Sequence, residues 1–196
     1  EELLTDNNYQ DRILDLLDTV DIFSDEEVLY DSIRTLCHSL FSYDKFTIAM
    51  ADSSNNLPIV KLVDGIKEDV DTGDTFSLDY SLQGKVIKDG IIIRSRYWEN
   101  DYPGIGRFRK DENFNINFSA VLIVPILMKG IAIGSIALER LSSRSYSSSD
   151  ERFMEQLAFT IGHILSWQEG YREMYESAIH DGLTGLLNHR AFMNRF

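Results

Sequence analysis

The chain has 196 residues, 43% hydrophobic and 26% charged, a balance that suits a folded domain with a sizeable core and excludes a disordered polar chain. Its formal net charge of −13 argues against nucleic-acid or anionic-membrane partners, which are held mainly by clustered Lys and Arg. No apolar run nears the roughly 20 residues needed to span a bilayer, no basic-then-apolar leader opens the chain, and the lone Cys37 excludes an internal disulfide; the expected setting is cytoplasmic.

Ile13, Leu16, Leu17 and Val20 fall at the spacing of one helical face. Ser24 with Glu27 predicts a capping box opening a second helix that turns Leu29, Ile33, Leu36 and Leu40 inward. Residues 46–50 and 57–63 are short and β-branched, separated by Asp52-Ser53-Ser54-Asn55-Asn56, and read as a hairpin. Asp64-Gly65 marks a turn, and the acidic stretch 67–74 reads as a solvated loop. A short helix is expected over Ser81 to Lys88, ended by Gly90, because glycine accepts the left-handed conformation after a last turn. Ile91 to Arg94 reads as a strand.

Residues 95–118 have no clean period and hold Tyr97, Trp98, Tyr102, Phe108, Phe114 and Phe118, which predicts a loop-rich insertion of the kind that carries function on a rigid scaffold. Two strong strands follow, Ala120 to Leu127 and Ile131 to Arg140, joined through Met128-Lys129-Gly130. Ser148 with Glu151 predicts a second capping box at the start of a helix running to Ile179. This order is an α+β plan, an antiparallel sheet flanked by helices with a long C-terminal coiled-coil helix.

Seven of the 19 basic residues, Lys85, Lys88, Arg94, Arg96, Arg107, Arg109 and Lys110, lie between positions 85 and 110. Two readings stay open: an anion site helped by the start of the helix at Ser81 to Gln83, with aromatics to stack on a base, or solvated charges that neutralise nearby acids. Cys37 sits mid-helix and reads as a structural thiol. His38, His163, His180 and His189 are scattered without metal-ligand spacing, so no metal site is expected, and no paired nucleophile and base points to a catalytic residue.

In the final helix Met154, Leu157, Ile161, Ile164, Gln168, Tyr171, Tyr175 and Ala178 are spaced alternately by three and four, the a/d seam of a coiled coil. About 32 residues at 1.5 Å each reach about 48 Å, beyond what a domain of this size covers. A parallel homodimer is therefore expected, with Gln168 fixing register in the seam.

Four runs in order give a resemblance to the GAF family across roughly residues 24–168: Ser81-Leu82-Gln83-Gly84-Lys85-Val86-Ile87-Lys88-Asp89-Gly90, Ala120 to Ile126, Gly134 to Glu139, and Tyr146 followed by Asp150-Glu151. The resemblance implies a small-molecule sensor whose ligand lies between the sheet and the irregular segments on one face. Against the cyclic-nucleotide members, Val63-Asp64 matches a Phe-Asp pair only in the Asp. Glu139-Arg140 stands where Asn-Lys is expected, with an Arg140–Asp150 ion pair as a possible replacement. Carried over by position, the ligand contacts implied are Thr47, Asp64, Gln83, Arg109, Asp111, Phe114, Asn115 and Asn117, and cAMP is the favoured ligand. A methionine sulfoxide reductase of this family would need more than one cysteine.

The tail from Asp181 to Phe192, Asp-Gly-Leu-Thr-Gly-Leu-Leu-Asn-His-Arg-Ala-Phe, resembles the opening signature of GGDEF diguanylate cyclase domains, with His189 replacing the first of two usual arginines. The G-G-D/E-E-F loop is absent from these residues, so GTP, Mg and cyclic di-GMP synthesis are expected only of a longer parent. The implied division is an N-terminal helix (1–23), a GAF sensor (24–166), a coiled-coil linker (167–180) and the start of a GGDEF domain (181–196), with Asp181-Gly182 as hinge. The alternative reading is a constitutive dimerisation module without a ligand, and a third is a redox or chromophore sensor through Cys37 or a histidine.

Overall fold

A computed structural model describes residues 2–20, 25–52, 57–67, 70–109 and 116–180, with side chains of the first helix from residue 11 onward. The elements are α1 (Glu2–Thr19), α2 (Glu26–Leu40), β1 (Lys45–Ala51), β2 (Pro58–Gly65), α3 (Leu82–Asp89), β3 (Ile93–Ser95), α4 (Trp98–Asp101), β4 (Ala120–Met128), β5 (Ile131–Arg140) and α5 (Ser148–Ile179). The strands form one antiparallel sheet in the order β2-β1-β5-β4-β3. This is the α+β plan read from the sequence.

Five successive residues of β1 and seven of β4 are buried, because both faces of the sheet are covered. Alternation along each strand then sorts side chains between two different surroundings. Phe46 and Ile48, Leu122, Val124 and Ile126, and Ile136 and Leu138 face one side. There they join Leu29, Ile33 and Cys37 of α2 and Met154, Leu157 and Ile161 of α5 in a single apolar cluster. On the opposite side α3 and the segments 70–80, 95–109 and 116–119 close over two smaller clusters, one around Ala49, Val60, Phe76 and Phe108, the other around Leu82, Val86, Trp98, Val121 and Ala137.

Local chemistry explains the element ends. Ser81 caps α3 by accepting from the Gly84 N–H, and Gly90, at φ 65°, ends it with its N–H on the Val86 carbonyl, as expected from the sequence. Lys129 and Gly130 both have positive φ, the geometry of a tight two-residue hairpin between β4 and β5. Two expected caps need correction. The α2 N-cap is Asp25, which makes no side-chain capping bond, and Ser24 lies outside the described residues. The box at α5 joins Ser147 and Asp150, one residue earlier than Ser148 and Glu151, because Glu151 is taken by an ion pair with Arg94 at 2.7 Å. The insertion at 95–118 also holds one helical turn, α4, pinned where the Trp98 indole N–H donates to the Phe118 carbonyl at 2.7 Å.

Helix α5 lies on β4 and meets it closely at Gly162, where an added Cβ would sit 2.0 Å from the Leu127 carbonyl oxygen. Its buried residues end at Gln168; of the residues from 169 to 180, nine are exposed and three half-buried. Among the described residues no helix is long and apolar enough to cross a membrane.

Candidate ligand site on the α3 face of the sheet

The face away from α2 and α5 carries a row of buried polar side chains between its two apolar clusters. Thr47 of β1 and Ser135 of β5 are fully buried and Gln83 of α3 is 1% exposed. Gln83 Nε2 donates to Thr47 Oγ1 at 2.7 Å, and Ser135 Oγ donates to Gln83 Oε1 at 2.9 Å. Both ends of the Gln83 amide are thus fixed from opposite strands. Register makes this possible, since Thr47 pairs with Ala137 and Ala49 with Ser135, which puts both hydroxyls on one face.

One step along the same strands, Lys45 is fully buried opposite Glu139. Glu139 forms a buried ion pair with Arg107, which arrives from the irregular segment. The Arg107 guanidinium lies 4.4 Å from the Phe118 ring centroid, and the Lys45 ammonium 5.0 Å from that of Phe108. Cations placed over ring faces at these distances are attracted by the ring quadrupole, more strongly once desolvated. The segment that delivers Arg107 is tied to α3: the Leu82 N–H donates to the Gly106 carbonyl at 2.8 Å and the Gly106 N–H to the Tyr80 carbonyl at 3.1 Å.

The structure brings together only part of the contact set implied by resemblance. Thr47 and Gln83 are bonded to each other. Asp64 pairs with Phe46 across the strands and so lies on the helix side, where it accepts from the Tyr43 hydroxyl at 2.6 Å. Arg109 is exposed, 3.9 Å from the Asp74 carboxylate, and Asn117 is exposed as well. Asp111, Phe114 and Asn115 lie outside the described residues, as do Lys110 and the 181–196 tail. Lys45, Arg107, Ser135 and Glu139 stand outside the contact set that the resemblance implies.

Among the described residues the basic run does not converge on a common point. Lys85 pairs with Asp89 and Lys88 with Asp79, each at 2.7 Å, and Arg94 pairs with Glu151. At the start of α3 the Leu82 and Gly84 N–H groups are satisfied within the chain, by the Gly106 carbonyl and the Ser81 hydroxyl, so the helix terminus offers less to an anion than the sequence suggested. The Arg140–Asp150 pair is not formed either. Arg140 stacks on the Tyr146 ring, 3.9 Å from its centroid, and donates to the carbonyls of Ser42, Arg144 and Ser145, while Asp150 serves the cap.

Of the eight positions expected in the coiled-coil seam, Met154, Leu157, Ile161 and Ile164 are buried in the chain's own core and Gln168 is 9% exposed. Tyr171 is half-buried, and Tyr175 and Ala178 are exposed. Cys37 is fully buried on the helix side, and burial pushes its thiol pKa up, away from the reactive thiolate.

A GAF-domain family model matches residues 25–165. The chain belongs to the GAF domain family. Such domains are small-molecule-binding sensory and regulatory units. The GAF domain of a phosphoenolpyruvate-protein phosphotransferase from Coxiella burnetii shares the fold with a TM-score of 0.71, at 12% identity over 88% of this chain and 99% of that one. A free methionine-R-sulfoxide reductase from Neisseria meningitidis, in complex with its substrate, gives 0.69 at 10% identity over 87% and 93%. The GAF domain of a two-component sensor histidine kinase from Bacillus halodurans gives 0.57 at 21% identity over 78% and 97%. At these identities the likeness concerns the fold. No curated protein matches in sequence.

Proposed function

We propose that this GAF domain binds a small anionic ligand, with cAMP as the first candidate, on the α3 side of its sheet, and that binding controls a C-terminal diguanylate cyclase domain through α5. The observation that supports the ligand half is the buried polar row itself. Polar groups inside a fold are costly unless paired, and a sheet face that only had to be covered would be apolar. A fixed amide at Gln83 suits the hydrogen-bonding edge of a base, and Lys45 and Arg107 beside aromatic rings suit an anionic group.

The support for the output half is the joint between the sheet and α5. Arg94 of β3 pairs with Glu151 and donates to the Tyr146 carbonyl at 3.3 Å and the Ser148 hydroxyl at 3.2 Å, while Arg140 at the end of β5 holds the same connection from the other side. A shift of β5 at Glu139 would reach the first turn of α5 through Arg140, the next residue. The cyclase itself rests on the resemblance of the 181–192 tail.

Methionine sulfoxide reduction, the activity named for the Neisseria neighbour, is poorly suited to this chain if it runs through a thiol. Its single thiol is buried across the sheet from the polar row.

The test is isothermal titration and thermal shift with cAMP, cGMP, GTP, cyclic di-GMP and methionine sulfoxide. A ligand at about 100 times its Kd should add about 2.7 kcal/mol of stability. Binding should fall at least tenfold in Gln83→Leu and stay unchanged in Asp64→Asn, which lies on the other face. No response to any nucleotide would overturn the cAMP assignment and favour a dimerisation module without a ligand.

A further inference from the structure

We infer that the Glu139 carboxylate is an internal stand-in for the ligand: it occupies an oxyanion pocket formed by Arg107 and Lys45, and a ligand oxyanion binds there by taking its place. The inference rests on the ligand half of the function proposed above and adds its regulation, since the protein itself sets how much anion is needed to displace the carboxylate. Simple anions are the probe, so its failure and that of the cyclic-nucleotide reading are separable.

The two cations are gathered at one place. The Arg107 guanidinium lies 4.4 Å from the Phe118 ring centroid and 5.9 Å from that of Phe108, and the Lys45 ammonium lies 5.0 Å from Phe108 and 6.0 Å from Phe118. Both charges therefore sit against the same two rings, and Lys45 stands opposite Glu139 in the β1–β5 register. Like charges held close together out of water repel, so the arrangement favours a negative group between them. A pair kept only for stability would have no use for the second cation, and buried pairs at best roughly match apolar residues of similar volume.

The polar row is also already engaged with itself. None of its side chains is more than 3% exposed, and Thr47, Gln83 and Ser135 are bonded to one another. A ligand that reaches this row must exchange partners with it. The exchange that loses least is at Arg107, because an incoming oxyanion restores a charge-assisted bond of the same kind as the one to Glu139. The two members of that pair are held differently. Glu139 sits inside the sheet between Lys45 and Val121, and its carbonyl accepts from the Asp44 N–H at 2.9 Å. Arg107 belongs to the irregular segment outside the sheet, so it is the member able to follow an anion. A tethered carboxylate competes at an effective concentration of about millimolar or more, and it lowers the apparent affinity by the fraction of molecules in which the pocket is free. Removing its charge should tighten anion binding at least tenfold.

The experiment follows thermal unfolding of wild type, Glu139→Gln and Glu139→Asp in inorganic phosphate or acetate up to about 20 mM, with ionic strength held constant by chloride. Glu139→Gln should unfold at a lower temperature than wild type, and added anion should raise its midpoint by several degrees while wild type hardly responds. A response to phosphate alone identifies a phosphoryl ligand, and a response to acetate alone a carboxylate. Adding Arg107→Met to Glu139→Gln should abolish the response. Glu139→Asp keeps the charge but withdraws it by one methylene, so it should fold and respond to an intermediate degree, which covers the case of a Glu139→Gln chain that does not fold. Any nucleotide that binds wild type should bind Glu139→Gln at least tenfold more tightly. Variants no more responsive than wild type, or a response that persists without Arg107, would overturn the inference. Anion-responsive variants with no nucleotide binding in wild type would keep it and remove the cyclic nucleotide, whereas nucleotide binding left unchanged by Glu139→Gln would do the reverse.

Discussion

The two faces of the sheet are built to different specifications. Under α2 and α5 the strands present Phe46, Ile48, Leu122, Val124, Ile136 and Leu138 to one unbroken apolar cluster. Under α3 the same strands present Lys45, Thr47, Ser135 and Glu139, and the apolar side chains split into two groups around them. Apolar burial contributes about 25 cal/mol per Å², so the helix side is the stability of the domain. The α3 side gives up part of that contribution to hold polar groups in fixed geometry, as a recognition surface must. A sheet covered on both faces can therefore divide its labour by alternation alone.

The largest effect expected from breaking this contrast lies in the buried pair. Arg107→Met removes the cation bonded to the buried Glu139 carboxylate and should cost about 3–5 kcal/mol, whereas Arg107→Met with Glu139→Leu should recover much of the loss, because an apolar pair of similar volume avoids desolvating two charges. Leu157→Ala on the helix side should cost about 2–5 kcal/mol with no such rescue by a second substitution. Urea unfolding of the three proteins separates the faces. Equal loss in the single and double Arg107 variants would mean that the pair acts through packing rather than charge.

The contrast also has a pH signature. On the helix side burial raises the pKa of Tyr30, Tyr43 and Tyr146, with the Glu26 carboxylate adding to the shift at Tyr30, the Asp64 carboxylate adding at Tyr43, and Arg140 opposing it at Tyr146; burial raises Cys37 as well. All four are neutral when protonated, so the fold favours the protonated forms. Their contribution is complete below the unfolded-chain values of about 8.5 for the thiol and 10 for tyrosine and is lost as pH rises above them. The urea midpoint should hold from pH 7 to 8 and fall steeply between pH 9 and 11. A midpoint level through pH 11 would show that these hydroxyls ionise as easily in the fold as out of it.

Much of this architecture could be read from residues. The hairpins, the Gly90 stop and the α5 span follow from local chemistry, which is why they stand where the sequence put them. The α5 cap missed by one residue because Ser147–Asp150 and Ser148–Glu151 both satisfy the pattern; the choice is made by Arg94, 57 positions from Glu151, which no local rule includes. The same limit governs the site. Alternation puts Lys45 with Thr47 and Ser135 with Glu139, but only the cross-strand register puts these pairs together, and only the path of 102–109 brings Arg107 to them. Asp64 was carried over from a motif position, and the register of β2 turns it to the other face. The heptad in α5 was real as a period, yet a period does not say whether the apolar row meets a partner helix or the chain's own sheet.

A smaller effect sharpens the recognition face. Thr47→Val keeps the shape of the side chain but removes the acceptor for Gln83 Nε2, leaving a buried donor without its bond; about 1–3 kcal/mol of stability should be lost. Ser135→Ala removes the donor to the other end of the same amide and should cost about as much. The double variant should cost less than the sum, since a Gln83 freed at both ends can turn to a new partner, and a double-mutant cycle in urea measures that coupling. Strict additivity would mean that the two bonds do not act as one unit.

The smallest effect runs the other way and belongs to the helix side. Tyr146 is 2% exposed, and among the described residues its hydroxyl is the buried side-chain polar atom with no hydrogen-bond partner. The ring itself is well used, packed in the apolar cluster with the Arg140 guanidinium 3.9 Å from its centroid. Tyr146→Phe keeps the ring and the cation–π contact and deletes only the orphaned oxygen, so the domain should gain about 1 kcal/mol, a rise of a few degrees in Tm. The alkaline loss of stability should shrink in the same variant, because one of the raised hydroxyls is gone. A fall in Tm would show that the hydroxyl is bonded in solution, and the helix side would then hold a polar link of its own at the joint between β5 and α5.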